Sequence, residues 1–182
     1  MRKLQNKELG RLDADQFRKA DKLPLTIVLD NIRSAHNVGS VFRSADAFRV
    51  AAIYCCGITA VPPQKELLKT ALGATDTVTW KYFGTTGEAI HELKQYSTRI
   101  IGIEQTDIST SLNDFRIDPT TSYAIVLGHE VKGVSADILS LCDAVVDIPQ
   151  AGTKHSLNIA VAAGIVSWAF FRQHSLVSEQ TR

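Results

Sequence analysis

The sequence predicts an α/β fold built on a mostly parallel sheet, and three observations carry that expectation. From Leu25 onward, short aliphatic runs alternate with helical patterns. The runs are continuously apolar rather than alternating, as in strands covered on both faces. A helical pattern between successive strands implies parallel crossovers.

In order, LTIVL (25–29) reads as the first strand and NVGSVFRSADAF (37–48) as its helix. On a wheel of 100° per residue Val38, Val41, Phe42, Ala45 and Phe48 share one face, and Arg43 falls away from it. AAIYCC (51–56) and VTWKYF (78–83) read as strands for their β-branched and aromatic content, each followed by a helical pattern, QKELLKTAL and TGEAIHELKQY. RIIGIE, AIVLG, SADILSLC and AVVDIP continue the series, and a final long helix is expected from about His155. The longest apolar run, Leu157 to Phe171, contains Asn158, Gly164 and Ser167, so it reads as a core helix rather than a membrane span.

A chain of 182 residues, 45% of them hydrophobic, is long enough for one sizeable core and too short for two ordinary domains. The expected division is a charged, helical lead-in at 1–22, one domain at 23–175 and a flexible tail at 176–182. The lead-in carries seven Lys or Arg against four acids, which a solvated helix face would explain, and it has no apolar segment for export. A net charge of +1 announces neither a nucleic-acid nor a membrane partner. Cys55, Cys56 and Cys142 have neither CxxC spacing nor a nearby His cluster, so they read as core thiols in a cytoplasmic protein. The five histidines show no HxxxH pairing, so no metal site is expected.

Ligands of open parallel sheets sit beyond the carboxyl ends of the strands, which directs attention to the loops there. Three are unusual: NIRSAHNVGSVFR after the first strand, GHEVKGVS after AIVL, and QAGTKHSLN after AVVDIP. None contains GxGxxG or GxxxxGK[ST], so neither a dinucleotide-binding fingerprint nor a P-loop is present. Asn37 stands where a helix N-cap is expected and reads equally as a ligand-facing group, while Gly39 would let another backbone approach. Ser156 reads as the N-cap of the last helix. Asn158, in the first turn of an apolar helix, either ties down a neighbouring loop or faces a ligand.

Together, NxGxxxR, LGHEVKG and IPQAGTKHSLN resemble, in order and spacing, the three motifs of the SpoU/TrmH-like RNA ribose methyltransferases of the SPOUT class, over residues 24–171. The resemblance implies S-adenosyl-L-methionine (SAM) as methyl donor, a ribose 2′-hydroxyl of tRNA or rRNA as acceptor, a homodimer, and a trefoil-knotted C-terminal half. Carried over by motif, the catalytic set is Arg43, Asn37, Glu130, Ser156 and Asn158, with Arg43 handling the 2′-hydroxyl. The cofactor is expected at Thr106, Leu127, Gly128, Ile148 and Leu157, and RNA at Arg33, His36 and Lys154; neither a metal nor a membrane is implied. His129 and Gln150 depart from the usual pattern and bear on the substrate. A guanidinium with a pKa above ~12 is a poor base, so Arg43 reads as an electrostatic stabiliser of a developing alkoxide. Two other functions fit the same sequence: an inert SPOUT-like RNA-binding or ribosome-assembly module, and a small-molecule enzyme using the pocket for another nucleotide.

Overall fold

A computed structural model describes residues 1–180. Among the described residues there are seven strands, β1 (Leu23–Asp30), β2 (Val50–Cys56), β3 (Thr79–Phe83), β4 (Arg99–Ile103), β5 (Thr110–Ser111), β6 (Tyr123–Leu127) and β7 (Ala144–Asp147), all but β5 arising from the apolar runs. They form one sheet in the order β3-β2-β1-β6-β4-β7-β5, and every pairing in it is parallel. The α-helices among the described residues are α1 (Ala14–Lys19), α2 (Ala35–Ala47), α3 (Lys65–Ala71), α4 (Thr86–Gln95), α5 (Ala136–Leu139) and α6 (Ile159–Gln180).

Side chains alternate across each strand, so continuous apolarity fills two cores. Leu25, Ile27 and Leu29 of β1 join Ile125 and Leu127 of β6 under α2, α3 and α6, together with Val41, Phe42 and Phe170. Val28, Ala124 and Val126 face the opposite side, under Ala89, Ile90 and Leu93 of α4. Cys55 and Cys56 are fully buried, and burial pushes both thiols up to about 12, which leaves them unreactive. Cys142 is half-buried, with its thiol pushed up by burial to about 11.

Several boundaries differ from the sequence reading. The two-residue β5 is too short to leave a periodicity signal. The last helix starts at Ile159 rather than near His155, because 151–158 is an exposed loop. It continues to Gln180, through most of the expected tail, and residues 181–182 lie outside the described residues. The lead-in is a 3-10 turn at Asn6–Leu9 followed by α1, anchored by the buried Phe17 with the Lys22 ammonium over its ring.

Gly39 meets the expectation of close approach. A Cβ there would stand 2.1 Å from Thr70 Oγ1 and 2.2 Å from the Leu67 carbonyl oxygen, so α2 and α3 touch through their backbones. Gly39→Ala is expected to cost about 1–3 kcal/mol by overpacking, read as a fall in Tm; an unchanged Tm would mean that α3 moves freely.

Candidate active site

The three unusual loops meet at the carboxyl ends of β1, β6 and β7, and one hydrogen-bonded chain ties them together. Glu130, after β6, accepts from the backbone N–H groups of Arg33 (3.3 Å) and Ser34 (3.2 Å) and from Asn37 Nδ2 (3.3 Å). Asn37 Oδ1 in turn accepts from Asn158 Nδ2 at 3.1 Å. Burial pushes the Glu130 carboxyl up, but the backbone and Asn37 donors outweigh it, and the group lies below the usual carboxylate range.

Two capping assignments change. Ser34 caps α2, its Oγ accepting from Asn37 N at 3.3 Å, and this frees the Asn37 side chain for the loops. Ser156 does not cap α6. Asn158 does, through Oδ1 to Ala160 N at 2.9 Å and its own carbonyl to Ala162 N. Asn158 is also exposed rather than buried, so its amide needs no internal partner to avoid a desolvation cost. It both ties down the Asn37 loop and lines a cleft. Asn158→Ala removes the cap and the link to Asn37; a loss of about 0.5–2 kcal/mol is expected from the cap, measurable by urea unfolding, and full stability would make both bonds incidental.

The cleft encloses about 540 Å³, within the range of small-molecule sites. Leu127, Gly128, Ile148 and Leu157, four of the residues expected at the cofactor, line it, with Glu130, Ser156 and Asn158 beside them. Gly128 is required for its shape: an added Cβ would lie 2.2 Å from the Gly133 carbonyl carbon and 2.3 Å from Val134 N, so the 128–134 loop folds back onto it.

Other expected residues lie elsewhere. Thr106 is not part of the cleft lining, and its buried hydroxyl has no hydrogen-bond partner among the described residues. Lys154 is exposed beside the cleft without lining it, and His36 pairs with Glu66 at 3.0 Å on α3. Arg33 contributes its backbone N–H, while its side chain is exposed. Arg43 lines a separate depression with Ser40, Ser44, Ala47, Phe48, Lys69 and Thr70, away from the cleft of its own chain.

Sequence reasoning missed Glu104 and Gln105. Glu104 accepts from Val134 N (3.0 Å) and Gln105 N (2.9 Å), while Gln105 Nε2 donates to the His155 carbonyl (3.1 Å), so the pair joins the second and third loops. Their signal was position, directly after β4 at the ligand-bearing end of the sheet.

Residues 24–168 match the model of the SpoU rRNA Methylase family. The chain belongs to that family. Among curated SpoU-family relatives, the 23S rRNA (guanosine-2′-O-)-methyltransferase RlmB of Nitrosomonas europaea is 36% identical over 151 residues, 83% of this chain and 57% of the relative. RlmB of Neisseria meningitidis is 32% identical over 91% of this chain and 65% of its own length. The chain thus spans about three-fifths of these relatives. In structure it is similar to the SpoU methyltransferase AviRb of Streptomyces viridochromogenes in complex with the cofactor AdoMet, with a TM-score of 0.77, 25% identity, and 90% and 65% of the two chains covered. The A. aeolicus TrmH/SpoU tRNA modifying enzyme gives a TM-score of 0.78 at 25% identity, covering 91% and 82%. Among the described residues no helix of this SpoU-family chain is long and apolar enough to cross a membrane.

Proposed function

We propose that this SpoU-family chain is a SAM-dependent methyltransferase that modifies a ribose 2′-hydroxyl of tRNA or rRNA in the cytoplasm. The observation carrying this is the Glu130–Asn37–Asn158 chain, which brings the three family motifs together on the rim of one cleft.

The cleft residues fit the cofactor. Ile103, Leu127, Ile148, Leu157 and Ala162 offer apolar surface for an adenine, and the Gly128 backbone allows a flat group close approach. Glu104, Glu130 and Asp147 place carboxyl groups around a ligand that carries a sulfonium charge. When bound, SAM supplies a methyl group on that sulfonium. The chain's part is alignment and charge: Glu130 and Asn158 hold the motif loops in one geometry, and proper orientation of reactants can be worth about 7–11 kcal/mol. The Arg43 guanidinium stabilises negative charge growing on the ribose oxygen, and the proton leaves to phosphate or water.

Arg43 must then come from a second copy, and the surface supports a homodimer. Val161, Ile165 and Trp168 are 50, 37 and 51% exposed and form a stripe along α6, which Leu157 (36% exposed) extends in the loop before it. Trp168 stacks on Phe171 and lies 5.8 Å from Phe48, a neighbour of Arg43 in its depression. A partner seated on this stripe covers the apolar face and meets Arg43. Trp168→Asp is expected to turn a dimer into a monomer in sedimentation velocity and to abolish methyl transfer; a monomeric wild type would remove the dimer. The knot is supported by the strand order: from β4 the chain reaches β5 at the edge, returns to β6, then inserts β7 between β4 and β5.

Incubating the protein with SAM labelled at the methyl group and total RNA from a strain lacking the gene tests the activity. Label on 2′-O-methylated nucleotides is expected, and RNA that stays unlabelled while SAM binds would leave an inert RNA-binding module.

A further inference from the structure

A second cleft of about 590 Å³ opens beside the first, with Asp30, Asn31, Ile58, Thr86, His129 and Lys132 among its walls. His129, Lys132 and Gly133 line both clefts, so the 128–134 loop is a partition between them. Both sit at the carboxyl end of the sheet, where Asp30 ends β1 and Thr86 begins α4 after β3.

Asp30 is only 5% exposed, yet among the described residues its carboxyl group takes part in no ion pair. Its Oδ1 accepts from Thr86 Oγ1 (2.5 Å) and Asn31 Nδ2 (2.8 Å), while Oδ2 accepts from no described group. Oδ2 is not among the buried polar atoms left without a partner, so this oxygen stays open to the cleft and can accept from a donor bound there. Its position is enforced. Asn31 holds a left-handed backbone (φ 56), and its Oδ1 accepts from Ile58 N at 3.2 Å. The adjoining Gly57 (φ 60) leaves the space, since a Cβ there would stand 2.1 Å from Asn31 Oδ1. A non-glycine residue in this region is strained and persists where its surroundings fix it.

Around this acceptor the cleft offers an apolar platform, Ile58 at 64% exposed, and an exposed ammonium, Lys132, that forms no ion pair among the described residues. Acceptor, platform and cation match the donor edge, ring face and phosphate of one nucleotide. Guanine is the base whose Watson–Crick edge presents two adjacent donors, N1–H and the 2-amino group. Adenine, cytosine and uracil would each turn an acceptor toward the carboxyl.

We propose that this second cleft binds a guanine nucleotide of the RNA substrate, its donor edge on Asp30 and its phosphate on Lys132, on the far side of the partition from the methyl donor. The RNA origin of that nucleotide rests on the proposed function; the binding itself does not.

NMR titration with GMP, AMP, CMP and UMP, and with guanosine as the phosphate-free control, with SAM present so that the first cleft is filled, tests it in the wild type, Asp30→Asn and Lys132→Ala. GMP is expected to bind about tenfold more tightly than the others, since its two adjacent donors can converge on the open Oδ2 while each other base turns an acceptor to it; tenfold is the low end of what a specific base-edge contact gives. Asp30→Asn should erase that preference, and Lys132→Ala should weaken GMP without weakening guanosine. Equal affinity for all four nucleotides, or GMP affinity unchanged in both variants, overturns the proposal. Lys132 is exposed, so its variant decides the matter even if Asp30→Asn fails to fold. Failure of the methyl-transfer reading registers separately, as absence of label on RNA with the wild type.

Discussion

Arg43→Ala is expected to slow single-turnover methyl transfer by about 10²–10³-fold, the usual cost of removing a group aimed at developing negative charge. The affinity for SAM should not change, because Arg43 lies in its own depression, away from the cleft of the same chain. Arg43→Lys should recover part of the rate: the charge remains, but the planar fork that grips two oxygens at once is lost. Near-full activity in both variants would remove Arg43 from the chemistry. A mixing experiment locates it further. If the guanidinium serves the partner's cleft, combining Arg43→Ala subunits with Gly128→Ala subunits creates mixed dimers that pair one intact cleft with one intact arginine. Activity above that of either parent is then expected, and no gain would place Arg43 in its own subunit's site.

Gly128→Ala carries the second large effect. Its added methyl would overlap the backbone at Gly133 and Val134, atoms that cannot rotate aside as a flexible side chain could. The 128–134 loop must open to admit it, and with it the wall that His129, Glu130 and Val134 give the cleft. Overpacking of this kind costs about 1–3 kcal/mol. We expect calorimetry to show SAM affinity reduced more than tenfold, each tenfold being about 1.4 kcal/mol. Unchanged affinity would mean that the fold-back of this loop is unrelated to cofactor binding.

How much of this was legible in the sequence depends on whether the signal was local. The strand and helix series was readable because β1 and β6 are apolar on both faces and α2 carries one clean stripe. The orientation of Arg43 followed from the same stripe. Cap identities were not readable, since Ser34 and Asn37 are both good caps and only the path of the preceding loop selects between them. Glu104 escaped because an acid at a strand end looks like any surface acid until Val134, thirty residues on, folds back onto it. The motifs indicated which residues belong together. That Glu130 meets Asn37, and Asn37 meets Asn158, is a fact of topology rather than of pattern.

The bond between Asn37 and Asn158 spans 121 positions. A ribosome releases the first of these residues long before the second, so every nascent chain passes through a stage in which the sheet can begin to form while the rim stays open. Non-local closures of this kind form late, because the entropy of the intervening loop must be lost before the contact rewards it. The rim therefore closes only once the segment after β7 has emerged, and a chain truncated before Asn158 lacks the residue that closes it.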